Sequence, residues 1–382
     1  MQMDDRTIHM IVEPNYITPF WYARSIEGLE EAASRHKQEV KRLSSIDELT
    51  VPANVIVVIG TTKSWIRDTL DAARARNLRS ILIGTVPSKY GEDVSGTMYG
   101  SHSAIEEIVY YFYYYGHRKM ALVDINGAST NDAMKVESFL STTKKLGLST
   151  SYNDVYFRNV GAQNGDEKFL ISIRSYDAVV CSNDYSAAFI LKYAEDHGIK
   201  VPDELFVAGL GDTTLCRYTN PSLTSATRSY YESGENAYDL WRTLTRNPNV
   251  ESIVTTMRSS LKPRGSTGFL PGVPVEISSS SLHEDREEID ENTLRKGADS
   301  LKAIQECLSE CDAVDMTIIA GVLNNVSNER LAEELSMSTG TINYRLKKLY
   351  KNAGVTTKNE FSELIRSSIS VDTLLKDTKH LD

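Results

Sequence analysis

The sequence predicts an α/β protein of parallel sheets in two linked lobes, followed by a small all-α domain. Three observations carry this. Short apolar runs alternate with longer amphipathic stretches from Thr7 to about Gly268, composition changes abruptly over residues 269–288, and helical periodicity without a strand signal runs from Val314 to Ser368.

The apolar runs are 8–12, 55–59, 80–83, 120–123, 178–181 and 205–208. Strands apolar on both faces are covered on both faces. Between the runs lie amphipathic stretches at 24–36, 65–76, 104–115, 134–146, 186–197 and 232–244. Such alternation implies parallel sheets with helices on either side. Roughly 260 residues of it are too many for one small sheet, hence two lobes. Ligands of open parallel sheets bind beyond the carboxyl ends of the strands, so binding residues are sought just after the apolar runs.

Residues 269–288, FLPGVPVEISSSSLHEDREE, combine two Pro, a Gly, four consecutive Ser and a cluster of acids. That composition reads as a linker. A helix beginning near Ile289 would align Leu294, Ala298, Leu301, Ile304 and Leu308, as a dimer seam or as a face against the next domain. The expected domains are therefore a binding domain at 1–268, a linker at 269–288 and a connecting or dimerisation helix at 289–310. A helical domain at 311–370 and a tail at 371–382 follow.

In the helical domain four amphipathic segments are expected, at 314–325, 328–335, 338–352 and 358–367. Ser327 and Ser338 stand as N-caps of the second and third, and Gly354 as the residue ending the third. Only a tight turn fits between the second and third, which describes a helix-turn-helix. Ile342, Leu346 and Leu349 form the buried stripe of the third helix, leaving Asn343, Tyr344, Arg345, Lys347, Lys348 and Lys351 largely outside it. From Ser336 to Asn359 there are five basic residues and no acid. Free N–H groups at the helix start suit phosphate, and Asn343 and Lys347, one turn apart, suit the base edges of a major groove. The same residues also read as the solvated face of a structural bundle.

Composition limits the alternatives. With 52 acidic and 42 basic side chains the net charge is −10, which opposes indiscriminate coating of nucleic acid or anionic lipid but not contact through one concentrated patch. Cys181, Cys216, Cys307 and Cys311 form no C-x-x-C pair and no ligand set with the seven His, so no metal is expected. They read as small apolar side chains in a reducing cytosol. The N-terminus carries acids where a signal peptide needs basic residues, and no apolar run approaches the ~18 residues of a membrane span. A cytoplasmic location without membrane contact is expected. There is no glycine-rich phosphate loop, nucleophile elbow or Ser/His/Asp set, so no catalytic residues, cofactor or enzymatic activity are expected.

The segment SNERLAEELSMSTGTINYRLKKLYKNAGVTTKNEF resembles the LuxR-type helix-turn-helix of bacterial regulators, over about 55 residues. The resemblance implies that Asn343, Tyr344 and Lys347 read bases while Thr341, Arg345 and Lys348 approach phosphates. The family's Lys and His after T-V are here Asn343 and Arg345, so its DNA sequence is not expected to carry over.

Four stretches of residues 7–268 resemble the effector-binding domain of lactose-repressor-type regulators, itself similar to periplasmic sugar-binding proteins. They are EPNYITPFWYARSIEGLEEAA, YYGHRKMALVD, DAVVCSNDYSAAFILKYAEDHGIKVPDELFVAGLGD, and RYTNPSLTSA with LKPRGSTG. The likeness implies a periplasmic-binding-protein-like fold, its lobes joined by crossovers near 117–120, 224–228 and 252–257 around a ligand cleft. It also implies six ligand-binding positions. Phe20 and Trp21 would form a stacking wall, with core packing as the alternative. Asp184 and Asp212 would supply carboxylates, with capping as the alternative for Asp212, and Asn183 would serve as a cap. Lys135 stands at the family's usual Arg, Tyr99 lies in Met98-Tyr99 where the family has Asp-Asn, and Gly211 replaces an Asp. These departures point from an ordinary sugar toward a less hydroxylated, more aromatic or apolar effector. A cleft converted to protein contact is the other reading.

The run YYFYYY at 110–115 cannot face one core at helical spacing. Tyr110 and Tyr114 share one face, and Tyr111 and Tyr115 another. The run reads as a homodimer interface, with nucleic-acid stacking as the alternative. Only six residues precede the first strand, so the expected order is sensor first and reader second. The chain is expected to be a transcriptional regulator that binds DNA and a small-molecule effector, sugar-like or more aromatic. The alternative is a binding module whose C-terminal bundle contacts protein.

Overall fold

A computed structural model describes residues 7–14, 20–158, 167–268 and 291–378 of the chain. In chain order its first elements are β1 (Thr7–Val12), α1 (Phe20–Arg35), β2 (Glu39–Leu43), β3 (Val55–Ile59), α2 (Lys63–Ala75), β4 (Arg79–Ile83), β5 (Ser95–Met98) and α3 (Ser101–Tyr114). There follow β6 (Met120–Ile125), α4 (Thr130–Lys145), β7 (Val155–Phe157), α5 (Glu167–Ser172), β8 (Ala178–Cys181), α6 (Asp184–Asp196), β9 (Phe206–Gly211) and α7 (Leu215–Tyr218). The α/β part ends with β10 (Thr224–Thr227), α8 (Tyr230–Arg246), β11 (Val254–Thr256) and β12 (Leu261–Lys262). The described residues divide into two compact units, one within Met1–Glu107, Asn126–Ser141 and Thr227–Ser260, the other within Ile108–Ile125, Thr142–Ala226 and Leu261–Asp382.

The first unit holds a parallel sheet in the order β11-β5-β4-β3-β1-β2. Its central strand β3, VIVVI, is buried throughout. Val55, Val57 and Ile59 pack with Leu29 of α1 and Trp241 of α8, while Ile56 and Val58 pack with Ile66 and Leu70 of α2. The twofold alternation of strand side chains thus feeds two separate cores, which is why the run carries no polar residue. β2, EVKRL, lies at the edge and is charged and mostly exposed, a composition that discourages pairing with another chain. Helices α1 and α8 meet through glycines. A Cβ on Gly28 would strike the carbonyl oxygen of Tyr231, and one on Gly234 that of Ser25.

The second unit holds a sheet in the order β12-β10-β9-β8-β6-β7, with β7, β6, β8 and β9 parallel and β12 antiparallel to β10 at one edge. Its core joins Val123, Val179 and Val207 with Phe169 and Phe189. The first division between units falls inside α3, about ten residues before the expected crossover at 117–120. The reason is packing: Phe112, near the end of α3, is buried against Phe206 and His117 of the second unit. Four further divisions follow Ile125, Ser141, Ala226 and Ser260; the last two lie within and a few residues beyond the expected crossovers at 224–228 and 252–257.

The C-terminal part is helical: α9 (Glu291–Ser309), α10 (Ala313–Leu323), α11 (Asn328–Glu334), α12 (Thr339–Asn352), α13 (Lys358–Ser368) and α14 (Val371–Thr378). Each turn has a local cause. Asp312 and Thr357 close capping boxes at α10 and α13, and Ser327 and Ser338 accept the N–H of Arg330 and Thr341. Gly354, with φ +66°, ends α12 where a side chain would be strained. Residues expected as a tail instead form α14, because Leu374 is buried and the helix packs on α7 and α10.

These helices share one hydrophobic core with the second lobe. Leu301, Ile304 and Leu308 of α9 join Ala187 and Leu191 of α6, and Ser370 N–H donates to the carbonyl of Tyr218 at 2.6 Å. The stripe expected on this helix therefore faces, from Leu301 onward, the second lobe and the bundle. The expected linker at 269–288, the side chain of Phe20, and those of Leu294 and Ala298 lie outside the described residues.

Candidate functional site

At the carboxyl ends of the second sheet, Asp124, the penultimate residue of β6, has φ +65° and its carboxylate turns inward. Arg158, just past β7, grips it through Nε and Nη2 at 2.6 and 2.7 Å. Asn183 Nδ2 donates at 2.8 Å, and the Ser186 hydroxyl also donates. Burial pushes this carboxyl up, but Arg158 and these donors outweigh burial and hold it below the usual carboxylate range. Arg158 also reaches the Tyr185 hydroxyl at 2.5 Å. Asn183 caps α6 through the N–H of Ser186, as its position suggested.

Asp184, 1% exposed, opens α6. It accepts from the Ser225 hydroxyl at 2.5 Å and from Thr213 N–H at 2.8 Å, so it braces β9, β10 and α6 together. Burial dominates and pushes its carboxyl up. Asp212, at φ +50°, binds Arg264 Nη2 at 2.6 Å and receives no cap role among the described residues. A Cβ at Gly211 would crowd Asp184, so an Asp there is incompatible with this packing.

In the first unit, Tyr99 directly follows β5 and is buried. Its ring meets Trp21 and Tyr230 edge-on, with centroids 5.8 and 4.9 Å away, and its hydroxyl pairs with Ser25 Oγ at 2.9 Å. Burial pushes its phenol up. Trp21 is half-buried and also meets Tyr22 edge-on. Lys135, 4% exposed, is paired with Asp132 at 2.5 Å, and Asp132 accepts the N–H of Asn126 at 2.8 Å. The structure thus brings Trp21 and Tyr99 together in the first unit and leaves Lys135 in a separate ion pair. Asp184 and Asp212 lie in the second unit.

One residue of this region had no sequence signal. Arg228 directly follows β10. Its Nη1 lies 3.4 Å from the Tyr230 hydroxyl, while its Nε and Nη2 are buried and meet no hydrogen-bond partner among the described residues. An arginine in a crossover segment reads as solvated charge unless its burial is known.

In the C-terminal helices, α12 turns Ile342, Leu346 and Leu349 inward and exposes Thr341, Asn343, Tyr344, Lys347, Lys348 and Lys351. Thr341 Oγ1 pairs with the capping hydroxyl of Ser338, Asn343 accepts from Asn328, and Lys348 lies 3.8 Å from Glu310. Tyr344 is 70% exposed. Arg345 differs: its Nη1 bridges Asp312 at 2.9 Å and Asp315 at 2.7 Å, tying α12 to the capping box of α10. Among the described residues no helix is long and apolar enough to cross a membrane, and no group of His, Cys, Asp and Glu is arranged to hold a metal ion.

Residues 109–267 match the periplasmic binding protein-like domain family. The chain is 25% identical to the transcriptional regulator DegA of Bacillus subtilis over 31% of this chain and 36% of that one. It is 24% identical to GalR of Escherichia coli over 40% and 45%, so these matches span less than half of either relative. The repressor CytR of Escherichia coli is 23% identical over 70% of this chain and 81% of its own. Among solved structures, the regulator CcpA of Lactococcus lactis superposes with a TM-score of 0.57 at 21% identity, covering 69% of this chain and all of that one. A CelR–cellobiose complex gives 0.56 at 16%, covering 69% and 85%. The two-sheet α/β fold is therefore that of periplasmic-binding-protein-like domains, and a helical region follows it.

Proposed function

We propose that the chain is a ligand-responsive transcriptional regulator in which the two-lobed domain senses a small molecule and α11, the turn and α12 read DNA. The observation that carries this is the outer face of α12. Asn343, Lys347 and Lys351 repeat every four residues with Tyr344 and Lys348 beside them, all exposed and none acidic. A helix so built presents base-reading and phosphate-binding side chains to a major groove. The relatives' names as regulators and repressors support the reading at the level of the whole protein.

Arg345 serves here as the brace that sets the angle of α12. Thr341 and Lys348 approach phosphates while Asn343, Tyr344 and Lys347 approach bases. The shared core of α6 and α9 supports a direct route from the second lobe to the reader. Trp21 and Tyr99 supply the aromatic wall for the effector in the first lobe, where Lys135 holds its own segment through Asp132, while Asp184 and Asp212 brace segments of the second lobe. Tyr114, 79% exposed, and Tyr110 on the same face support a homodimer.

Fluorescence anisotropy on labelled duplexes tests the reader. Asn343→Ala should alter sequence preference, while Lys348→Ala should weaken all duplexes and reduce the salt slope by about one. The exposed ring of Tyr344 also suits a protein contact; duplex binding absent even at low salt would favour that reading.

A further inference from the structure

We propose that the effector carries a carboxylate or phosphate on a ring, and that the Nε–Nη2 edge of Arg228 is its anchor. This inference rests on the effector-binding reading above and names the ligand class for it.

A guanidinium presents two parallel N–H bonds along that edge, matched to two oxygens of one anion. The described residues use the edge in this way three times. Arg74 holds Asp93 so at 2.7 and 2.8 Å. Arg42 holds Glu30 through Nε and Nη2 at 2.7 and 2.8 Å, and Arg158 holds Asp124 through the same atoms at 2.6 and 2.7 Å. At Arg228 the edge is buried and meets no acceptor among the described residues. Buried cationic donors without an acceptor are costly to keep, so their presence calls for an anion that enters and leaves.

Among the described residues, the neighbouring groups do not supply that anion. The carboxylate ending the β1 segment, Glu13, is committed to the N–H groups of Thr61 and Thr62 at 2.7 and 3.3 Å. Around Arg228 stand aromatic groups instead: Tyr230, which takes its Nη1, then Tyr99 edge-on to Tyr230, then Trp21 edge-on to Tyr99. Three rings beside one unsatisfied guanidinium fork fit a flat or ring-bearing body with an anionic group at one end. A neutral sugar would offer hydroxyl oxygens to the fork but no charge to balance it.

Thermal unfolding of the full chain tests this without DNA, using matched pairs of probes. These are 4-hydroxybenzoate against 4-hydroxybenzyl alcohol, glucuronate against glucose, and phenyl phosphate against phenol, at equal ionic strength. At least one anionic member should raise the midpoint where its neutral partner does not, and the arm that responds separates carboxylate from phosphate. Arg228→Gln should weaken that response roughly a hundredfold in affinity, since two charge-assisted bonds are lost. Arg228→Lys, which keeps charge but not the fork, should also lose most of it. Without any probe, Arg228→Met should raise the midpoint. The proposal is overturned if no anion stabilises the wild-type chain beyond its neutral partner, or if Arg228→Gln keeps the response. Failure of DNA binding would leave these results standing, and their failure would leave DNA reading intact.

Discussion

Replacing Arg345 by Ala separates two roles that one position can have on a DNA-reading helix. If Arg345 were a free phosphate contact, its loss would weaken DNA binding and leave folding untouched. In the structure its guanidinium joins Asp312, whose side chain is half-exposed, and Asp315, which is buried. The exposed partner contributes little, because solvent screens it. The buried carboxylate loses a charge-assisted hydrogen bond worth roughly 1.5–3 kcal/mol. The expected loss is about 2 kcal/mol, or about 4–8 °C in midpoint for a unit of this size. The effect also has a pH signature. Burial raises the carboxyl of Asp312, but the N–H of Asp315 and then Arg345 outweigh it, so its folded value lies below the unfolded one. Stability from this group is therefore present above the ordinary carboxylate range and lost as pH falls through the folded value. Urea unfolding of wild type and Arg345→Ala should differ most at neutral pH and converge in acid. Equal midpoints at neutral pH, with DNA binding alone weakened, would refute the reasoning.

Three further outcomes follow from the packing. Gly234→Ala should destabilise the first lobe by about 1–3 kcal/mol, because the new Cβ meets the backbone of α1; an unchanged urea midpoint would show that the helices can part at no cost. Asp124→Asn should cost about 1.5–3 kcal/mol at neutral pH, and the difference from wild type should shrink as pH falls, since the Asp124 carboxyl is held below its unfolded value. Asp184 has the opposite sign. Burial raises its carboxyl, so its ionisation removes stability as pH rises, and Asp184→Asn should gain on wild type between acid and neutral pH in the same titration.

Apolar interior strands were legible, whereas the edge strands and the polar interior strands β5 and β10 were not. An apolar run marks a strand only when both faces are covered, as in VIVVI of β3. EVKRL of β2 is an edge strand whose charges disguise it, and β11 and β12 are too short to show a pattern. Caps carried more information than length: Ser327, Ser338 and Gly354 mark the bounds of α11 and α12 because each satisfies a local backbone need. Helical spacing also sorted the tyrosine run, with Tyr110 and Tyr114 exposed and Tyr111 bonded to Thr267 at 3.2 Å.

The candidate sites were harder to read, because their partners are distant in sequence. Arg345 sits 30 residues from Asp315, so a phosphate role and an internal brace look alike in the chain. Asp184 follows a buried strand, as a ligand carboxylate would, yet its oxygens meet Thr213 and Ser225. Arg228 gains its meaning only from burial and from what its donors lack.

The central claim, that α11 and α12 read DNA, is tested most directly by selecting from a pool of random duplexes with the full chain. The account predicts a preferred sequence whose affinity falls with salt and whose preference shifts with Asn343→Ala. A pool that returns unenriched, with no duplex retained at low salt, would contradict it.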